Sequence, residues 1–298
     1  MNAIIFGAKG QDGYYLSKLL SELSIDVIPV VQNNSLDATS SSAIGIDISN
    51  YDHVVDLVMK TKPSYIFHFA ANSTTAHAAM FENHQTISTG TLNILEAVKN
   101  HSPNSKVFIS GSGLQFVNDG VPIKETDAFE ARDPYSVSRI QSVYAARYFR
   151  SLGLKVYVGY FFNHDSPRRS ERHMAKKISE FAKKISLGNT DKLMIGDIDV
   201  VKEWTFAGDV VQGVWQLINQ DKVFEATIGS GAGYSIREWL DICFKSVGKD
   251  WRSFVEMNHN FRPDYKSLVS DPSTLLSLGW KPLISFEQLA FMMLNDHS

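Results

Sequence analysis

Three side chains in the middle of the chain have the types that a proton relay needs. Tyr135 and Arg139 are four residues apart in a helical pattern, so both lie on one face of the helix. A fixed positive charge beside a phenol favours the phenolate, and such a tyrosine can exchange a proton with a substrate. Ser112 follows the apolar strand pattern Lys106 to Ser110 and could hydrogen-bond the same reacting oxygen. From spacing alone, an exposed aromatic ring and a solvated charge remain the simpler interpretation.

A glycine-rich loop near the start of the chain predicts a dinucleotide site. The apolar run Ala3 to Phe6 leads into Gly7-Ala8-Lys9-Gly10-Gln11-Asp12-Gly13, and leucines then recur at helical spacing on one face from Leu16 to Leu23. Strand, glycine loop and helix in this order let backbone N–H groups approach a pyrophosphate at the helix N-terminus. A turn with a purely structural role is the alternative.

The composition is that of an ordinary globular protein. The chain has 298 residues, of which 44% are apolar and 20% charged, enough for one large core or two modest ones. A net charge of −3 favours neither nucleic acid nor a membrane surface as a partner. No apolar run approaches the ~20 residues that span a bilayer, and the first strand leaves no room for a signal peptide, so a cytoplasmic protein is expected. The single cysteine, Cys243, lies in an apolar helical pattern and is expected in the core, and the histidines lack ligand spacing, so neither a disulfide nor a metal is predicted.

Alternating strand and helix patterns predict a Rossmann-type, doubly wound α/β fold with a parallel sheet. Strands are predicted at Asp26 to Val31, Tyr65 to Phe69, Lys106 to Ser110 and Lys155 to Phe162, and helices at Val54 to Met59, Thr91 to Lys99 and from Tyr135. Helix caps at Ser235 and Ser285, and a short helix after Pro272, predict a smaller C-terminal α/β substrate lobe. We therefore predict a dinucleotide-binding domain over 1–162 and the substrate lobe over 163–298, with part of 200–225 returning to the first domain. Asp37 to Ser42 is predicted to be a polar surface loop.

Longer motifs spread over nearly the whole chain are more specific than any single spacing. Besides the glycine loop, they are Phe67 to Ala71, Gly90 to Ala97, Tyr160 to Arg169, Phe261 to Pro263 and Leu278 to Pro282. Together they resemble extended short-chain dehydrogenases/reductases of the NAD-dependent epimerase/dehydratase family. The resemblance is greatest to the group of GDP-mannose 4,6-dehydratase and GDP-4-keto-6-deoxymannose reductase.

This resemblance implies NAD or NADP as the cofactor and a nucleoside-diphosphate sugar as the substrate. Ser112, Tyr135 and Arg139 would lie at the reacting carbon, with Tyr135 and Arg139 also against the cofactor. The other implied cofactor contacts are Gly7, Gly10, Gln11, Asp12, Gly13, Asp47, Ile48, Ala70 and Ala71. The implied substrate contacts are Asn163, Lys177, Lys202 and Arg262. Most of the remaining basic residues from Arg168 to Lys184 are expected to form a solvated helix face.

Three departures from the family pattern shape the functional prediction. Arg139 stands where the family has lysine, so the charge is kept on a planar, bulkier group. Leu114 stands where dehydratases have a glutamate that removes the C5 proton, which leucine cannot do. Val31-Gln32-Asn33-Asn34 offers neither an acid for an adenosine 2′-hydroxyl nor an arginine for a 2′-phosphate, so NAD and NADP both stay open. Paired arginines that help relatives form tetramers are missing there too, which favours a homodimer.

We therefore expect an NAD(P)-dependent oxidoreductase that acts at C4 of a sugar carried on a nucleoside diphosphate, with GDP as the expected carrier. Reduction of a 4-keto group is the expected direction. One alternative is a 4,6-dehydratase or epimerase with another base. The other is a nucleotide-sugar-binding protein with attenuated catalysis, which Arg139 and Leu114 together suggest.

Overall fold

The computed structural model describes residues 1–32, 43–258 and 260–296. The predicted loop Asp37 to Ser42, together with Asn33 and Asn34, lies outside the described residues. The strands are β1 Asn2–Phe6, β2 Asp26–Val31, β3 Ile44–Gly45, β4 Tyr65–His68, β5 Lys106–Ser112, β6 Lys155–Phe161, β7 His164–Asp165, β8 Leu193–Ile195, β9 Val201–Glu203, β10 Thr205–Phe206, β11 Glu225–Ile228, β12 Gly233–Ser235, β13 Val255–Met257 and β14 Ser267–Leu268. The α-helices are α1 Gln11–Glu22, α2 Tyr51–Thr61, α3 Met80–Asn83, α4 Gly90–His101, α5 Pro134–Ser151, α6 Met174–Ser186, α7 Ala207–Ile218, α8 Ile236–Ser246, α9 Ser273–Ser277 and α10 Phe286–Leu294.

A seven-stranded parallel sheet in the order β11-β6-β5-β4-β1-β2-β3 forms the larger part of the molecule and confirms the predicted fold class. The chain runs outward from β1 to β3 and returns at β4, so Ile4 pairs with Ile28 on one side and with Ile66 on the other. The strand order therefore reverses between β1 and β4. In doubly wound sheets, ligands bind beyond the carboxyl ends of the strands at such a reversal.

Successive residues of the central strands pack into two separate cores, one on each face of the sheet. Ile66 faces the core that contains side chains of α2, α4 and α5, whereas Phe67 faces the core that contains those of α1 and α7. Burial on both faces explains why these strands read as continuous apolar runs. Leu16 and Leu20 of α1 are buried as predicted. The prediction that Leu23 shares their face is wrong, because Leu23 follows the last turn of α1 and is 44% exposed.

A smaller lobe is built around an aromatic core. The rings of Trp204 and Trp239 stack with centroids 4.5 Å apart, and Phe286 meets Trp239 edge-on. Helices α8 and α10, which supply two of these rings, start at Ser235 and Ser285 in the predicted capping boxes. Cys243 is buried in this core, as predicted.

The chain crosses back to the large sheet after the first strands of this lobe. Helix α7 packs on the large sheet, and β11 pairs with β6 at its edge. The division into domains at residue 162 stays a prediction. Within the described ranges, no helix is both long and apolar enough to cross a membrane.

Candidate active site

The glycine loop joins β1 to α1 with the close packing that a dinucleotide site needs. Gly7 has φ +89°, and a Cβ on it would lie 2.8 Å from the backbone nitrogen of Ala70. A Cβ on Gly13 would lie 2.4 Å from the carbonyl oxygen of Gly7. Both positions therefore require glycine because neighbouring backbone atoms leave no room for a Cβ. Gly7 requires it also for its positive φ. The loop fits a bound pyrophosphate at the N-terminus of α1.

Replacing Gly13 with alanine is expected to lower the free energy of unfolding by about 1–3 kcal/mol, the usual cost of overpacking. The added methyl would collide with backbone atoms of Gly7 and Ala8, which cannot rotate away. Urea denaturation of Gly13→Ala measures this loss. Gly10→Ala is the matched control, because its Cβ would lie 3.2 Å from the Gly7 oxygen and should cost less. Equal stability of the Gly13→Ala variant and the wild type would contradict the packing described here.

Two adjoining cavities lie at the carboxyl ends of the strands. The first has a volume of about 580 Å³, and its lining contains six of the predicted cofactor residues, namely Gly7, Gly10, Asp47, Ile48, Ala70 and Ala71. The second has a volume of about 420 Å³, and its lining contains Gly10, Gln11, Asp12, Ala71, Ser112, Tyr135, Arg139 and Asn163. Gly10 and Ala71 line both. The predicted cofactor and catalytic residues thus surround one continuous edge of the sheet, while Gly13 packs behind the loop.

Ser112, Tyr135 and Arg139 face the second cavity together. Ser112 ends β5, and its hydroxyl oxygen accepts a hydrogen bond from the backbone nitrogen of Leu114 at 3.2 Å. The hydroxyl hydrogen of Ser112 therefore remains available for an acceptor in the cavity. Tyr135 lies in the first turn of α5, and the guanidinium carbon of Arg139 lies 5.0 Å from the centre of its ring. With this arrangement, one substrate oxygen in the cavity can accept hydrogen bonds from the hydroxyls of Ser112 and Tyr135, beside the fixed charge of Arg139.

Arg139 is buried and held by Ser110 rather than solvated. It is 4% exposed, and its Nη1 donates to the hydroxyl oxygen of Ser110 at 2.8 Å and also to the Ser110 carbonyl oxygen. The Ser110 hydroxyl in turn donates to the carbonyl oxygen of His68 at 2.9 Å. Burial, with the Arg139 charge adding to it, lowers the pKa of His68 to about 3, so this histidine is neutral at pH 7. The guanidinium therefore occupies a defined position under Tyr135.

The predicted substrate contacts do not all meet at this site. Asn163 lines the second cavity, and within the described part of the chain its buried Oδ1 has no hydrogen-bond partner. Lys202 is 9% exposed, with its Nζ 4.5 Å from the centre of the Trp204 ring, and burial lowers its pKa. Lys177 donates to the carbonyl oxygen of Met194 at 3.3 Å, and Arg262 is exposed and donates to the carbonyl oxygen of Phe261. The lining of the two cavities, over the described residues, includes none of these three cations.

Other basic residues face the second cavity instead. Arg168, Arg169 and Arg172 line it, whereas their sequence pattern predicts a solvated helix face for most of the basic run. That expectation is wrong for these three, because α6 begins only at Met174 and the arginines lie in the segment before it. Their cationic groups make this side of the cavity suited to phosphate.

The chemistry of the cavity is also limited by Leu114. Its side chain lines the second cavity and an adjacent one of about 210 Å³. Among the described residues that line the second cavity, Asp12 is the one carboxylate, and it forms an ion pair with His164 at 2.8 Å. Leu114 therefore supplies no base that could remove a C5 proton. The adjacent cavity has Asp133, which caps α5, and Asp264 in its lining.

A doubly wound sheet with a glycine loop, two hydroxyls and a cation at its carboxyl edge defines a dinucleotide-dependent enzyme of the extended short-chain dehydrogenase/reductase class. The sequence profile of the family described as GDP-mannose 4,6 dehydratase matches residues 4–293. The chain belongs to this family, as the motifs predicted. Membership makes it an NAD(P)-dependent enzyme of nucleotide sugars.

The relatives agree with this family, and the solved structures agree with the fold. The chain is 31% identical over 320 residues to GDP-mannose 4,6 dehydratase 2 of Arabidopsis thaliana, covering 99% of this chain and 86% of that protein. It is 26% identical to the human GDP-mannose 4,6 dehydratase, with 98% and 90% covered. Its fold is similar to that of the UDP-glucose 4-epimerase of Thermus thermophilus with NAD, with a TM-score of 0.84, 20% identity, and 99% and 98% covered. RMD from Pseudomonas aeruginosa with NADPH has a TM-score of 0.83 at 20% identity, with 98% and 97% covered.

Proposed function

We propose that this protein is an NAD(P)H-dependent reductase of the 4-keto group of a nucleoside-diphosphate sugar, with GDP as the carrier. The observation that carries the proposal is the shared cavity of Ser112, Tyr135 and the buried Arg139, next to a leucine where a dehydratase needs its base. The names of the relatives support GDP as the carrier. The two cofactors carried by the similar structures, NAD and NADPH, leave both forms open for this chain.

In this proposal the chain supplies a proton and a hydrogen bond to the oxygen at C4. The reduced nicotinamide provides the hydride for the C4 carbon when bound. Tyr135 donates its phenolic proton to the developing alkoxide, and Ser112 donates a hydrogen bond to the same oxygen. Arg139 stabilises the phenolate that Tyr135 becomes. A buried, pre-positioned guanidinium does this without reorganisation during the reaction.

The diphosphate of the substrate would meet the arginines of the segment before α6. Arg168 and Arg172 are exposed at the cavity, and Nε of Arg169 lies 3.4 Å from Oδ1 of Asp165. Asn163 offers its unpartnered Oδ1 to a hydroxyl of the ligand. Lys177, Lys202 and Arg262 stay predicted substrate contacts from the resemblance.

The proposal is tested by incubating the purified protein with NADH or NADPH and a GDP-4-keto-6-deoxy sugar. We expect oxidation of one cofactor per sugar and a product heavier by two hydrogens. Loss of water from GDP-mannose with the cofactor unchanged overall would instead support a 4,6-dehydratase, the activity named for the relatives. In that case Asp264 in the adjacent cavity is the carboxylate to replace first. Tight binding of the sugar nucleotide with neither reaction would support the attenuated binding protein.

We also propose a homodimer, with the cytoplasm as its location. Neighbouring helices α4 and α5 present exposed apolar and aromatic side chains, with Leu92 49% exposed and Tyr148 60% exposed. A second copy could cover this surface. Sedimentation velocity should give twice the protomer mass of 33.3 kDa. A Leu92→Glu/Tyr148→Glu variant should be a monomer, whereas Leu187→Glu, at an 87% exposed site beyond α6, should remain a dimer. A monomeric wild type, or a dimer that survives the double substitution, would contradict this surface.

A further inference from the structure

We infer that His164 is a positioning residue for the cofactor, because its imidazolium neutralises Asp12 and so lets the glycine loop accept the diphosphate of NAD(P)H. The residues concerned lie 152 positions apart in the chain and meet at the second cavity. The inference rests on the proposed cofactor. It depends neither on the sugar nor on the direction of the reaction.

Each ring nitrogen of His164 faces an acceptor. Nδ1 lies 2.8 Å from the carbonyl oxygen of Phe162, and Nε2 lies 2.8 Å from Oδ1 of Asp12. A carbonyl oxygen only accepts, so Nδ1 carries a proton. A carboxylate also accepts, so a second proton lies between Nε2 and Asp12, which makes the pair an imidazolium and a carboxylate. The two side chains are 8% and 19% exposed, so water screens them little.

The groups around the pair favour this charged state. Burial alone would raise the pKa of Asp12 and lower that of His164, but their mutual attraction and hydrogen bond outweigh burial in both cases. The pKa of Asp12 is therefore lowered and that of His164 raised. Gln11 also donates to Asp12 Oδ1 at 3.3 Å, and Arg169 favours the carboxylate while opposing the imidazolium. His173 nearby has a pKa of about 4, because burial and then Arg169 and Arg172 disfavour its protonation, so it adds no charge at pH 7.

The position of Asp12 explains why its charge matters. Asp12 lies in the first turn of α1, shortly after Gly10, where backbone N–H groups attract a negative group. A carboxylate without a counterion at this position would compete with the cofactor diphosphate and repel it. His164 removes this repulsion while keeping the carboxylate in place.

A second contact fixes the same two segments to each other. The hydroxyl of Ser166 donates to Oε1 of Gln11 at 2.7 Å, and both side chains are buried. The glycine loop is thus attached both at Gln11 and at Asp12 to the segment that follows β6. Gln11 Nε2 also donates to the carbonyl oxygen of His164 at 3.4 Å. Removal of the charge at His164 therefore leaves the contacts of Gln11 intact.

The test is a double-substitution cycle on cofactor binding, followed by NADPH fluorescence at pH 7. His164→Gln keeps a hydrogen-bond donor but has no charge, so we expect the Kd for NADPH to rise by about tenfold. Asp12→Asn/His164→Gln removes both charges and should return the Kd to within about threefold of the wild type. Thermal melts without cofactor establish that each variant is folded. A role in packing alone predicts instead that the double variant binds as weakly as His164→Gln, or more weakly.

The pH dependence of binding gives a second measurement that needs no His164 variant. In the wild type, the Kd should rise as the pH passes upward through the raised pKa of His164, because Asp12 then loses its hydrogen-bonded counterion. Asp12→Asn should lack this step. An unchanged Kd in His164→Gln, or the same pH step in Asp12→Asn as in the wild type, would overturn the inference. Failure of the wild type to bind NADH or NADPH would instead refute the proposed cofactor.

Discussion

Tyr135→Phe is expected to lower kcat for reduction of a GDP-4-keto-6-deoxy sugar by about 10³-fold, within the range for loss of a positioned general acid. The substitution removes the phenolic hydroxyl and nothing else from the cavity wall. The ring of phenylalanine keeps the packing against Arg139, whose guanidinium carbon lies 5.0 Å from the ring centre. The Kd for NADPH, followed by fluorescence, should therefore stay within about threefold of the wild type.

The matched control is Tyr51→Phe, which removes a hydroxyl from an exposed tyrosine at the start of α2. This variant should keep the wild-type kcat. Ser112→Ala should fall between the two, because it removes one hydrogen bond to the same oxygen. A Tyr135→Phe variant with more than a tenth of the wild-type kcat would show that another group donates the proton.

Arg139→Met is expected to lower kcat by about 10²-fold. Methionine approximates the length of the aliphatic part of arginine but carries no charge, so the phenolate of Tyr135 loses its counterion. The hydroxyl of Ser110 still donates to the carbonyl oxygen of His68, so no buried donor is left without a partner by the change. Rapid-quench measurement of single turnovers separates this loss from any change in binding.

Arg139→Lys decides between a working site and an attenuated one. Lysine has no planar guanidinium to lie against the Tyr135 ring while its charged end donates to Ser110, so we expect kcat to fall by about tenfold. A rise in kcat would mean that the arginine weakens catalysis in a protein selected for binding. Lys60→Arg on the exposed last turn of α2 controls for a general effect of exchanging these two residue types.

The parallel sheet could be predicted from the sequence because of its burial. Residues such as Phe67 and Phe108 lie in strands covered on both faces, and continuous apolar runs leave a pattern that differs from an amphipathic helix. The glycine loop could be predicted for a similar reason, since close packing at Gly7 and Gly13 excludes every other residue type. Strand burial and close packing at a turn each constrain the residue types within a short segment, so the sequence of that segment is enough to predict them.

The ion pair of Asp12 and His164 could not be predicted in this way. The two residues are 152 positions apart in the chain, and only the tertiary fold brings His164 of β7 to the start of α1. The start of α6 could not be predicted for a related reason, so the arginines before it fit a helical pattern. His173 precedes α6 without a side-chain cap, so the sequence carries no signal for where this helix begins.

The contact of Arg139 with Ser110 could be predicted only in part from the sequence. Ser110 and Ser112 are two residues apart in β5, so both point to the same face of the strand as the catalytic site. This spacing could have indicated a polar partner for position 139. The identity of that partner still depends on how α5 crosses β5, which is a tertiary feature.

Transfer of one deuterium to the sugar tests the 4-ketoreductase assignment most directly. The protein is incubated with a GDP-4-keto-6-deoxy sugar and NADH or NADPH that carries deuterium on the transferring face of the nicotinamide C4. We expect one deuterium at C4 of the product sugar, seen as the loss of the H4 proton resonance and a mass one unit above that of the unlabelled product. A product without deuterium at C4 would contradict the assignment as a 4-ketoreductase. So would the absence of any product here, if the protein removes water from GDP-mannose when NAD+ or NADP+ replaces the reduced cofactor.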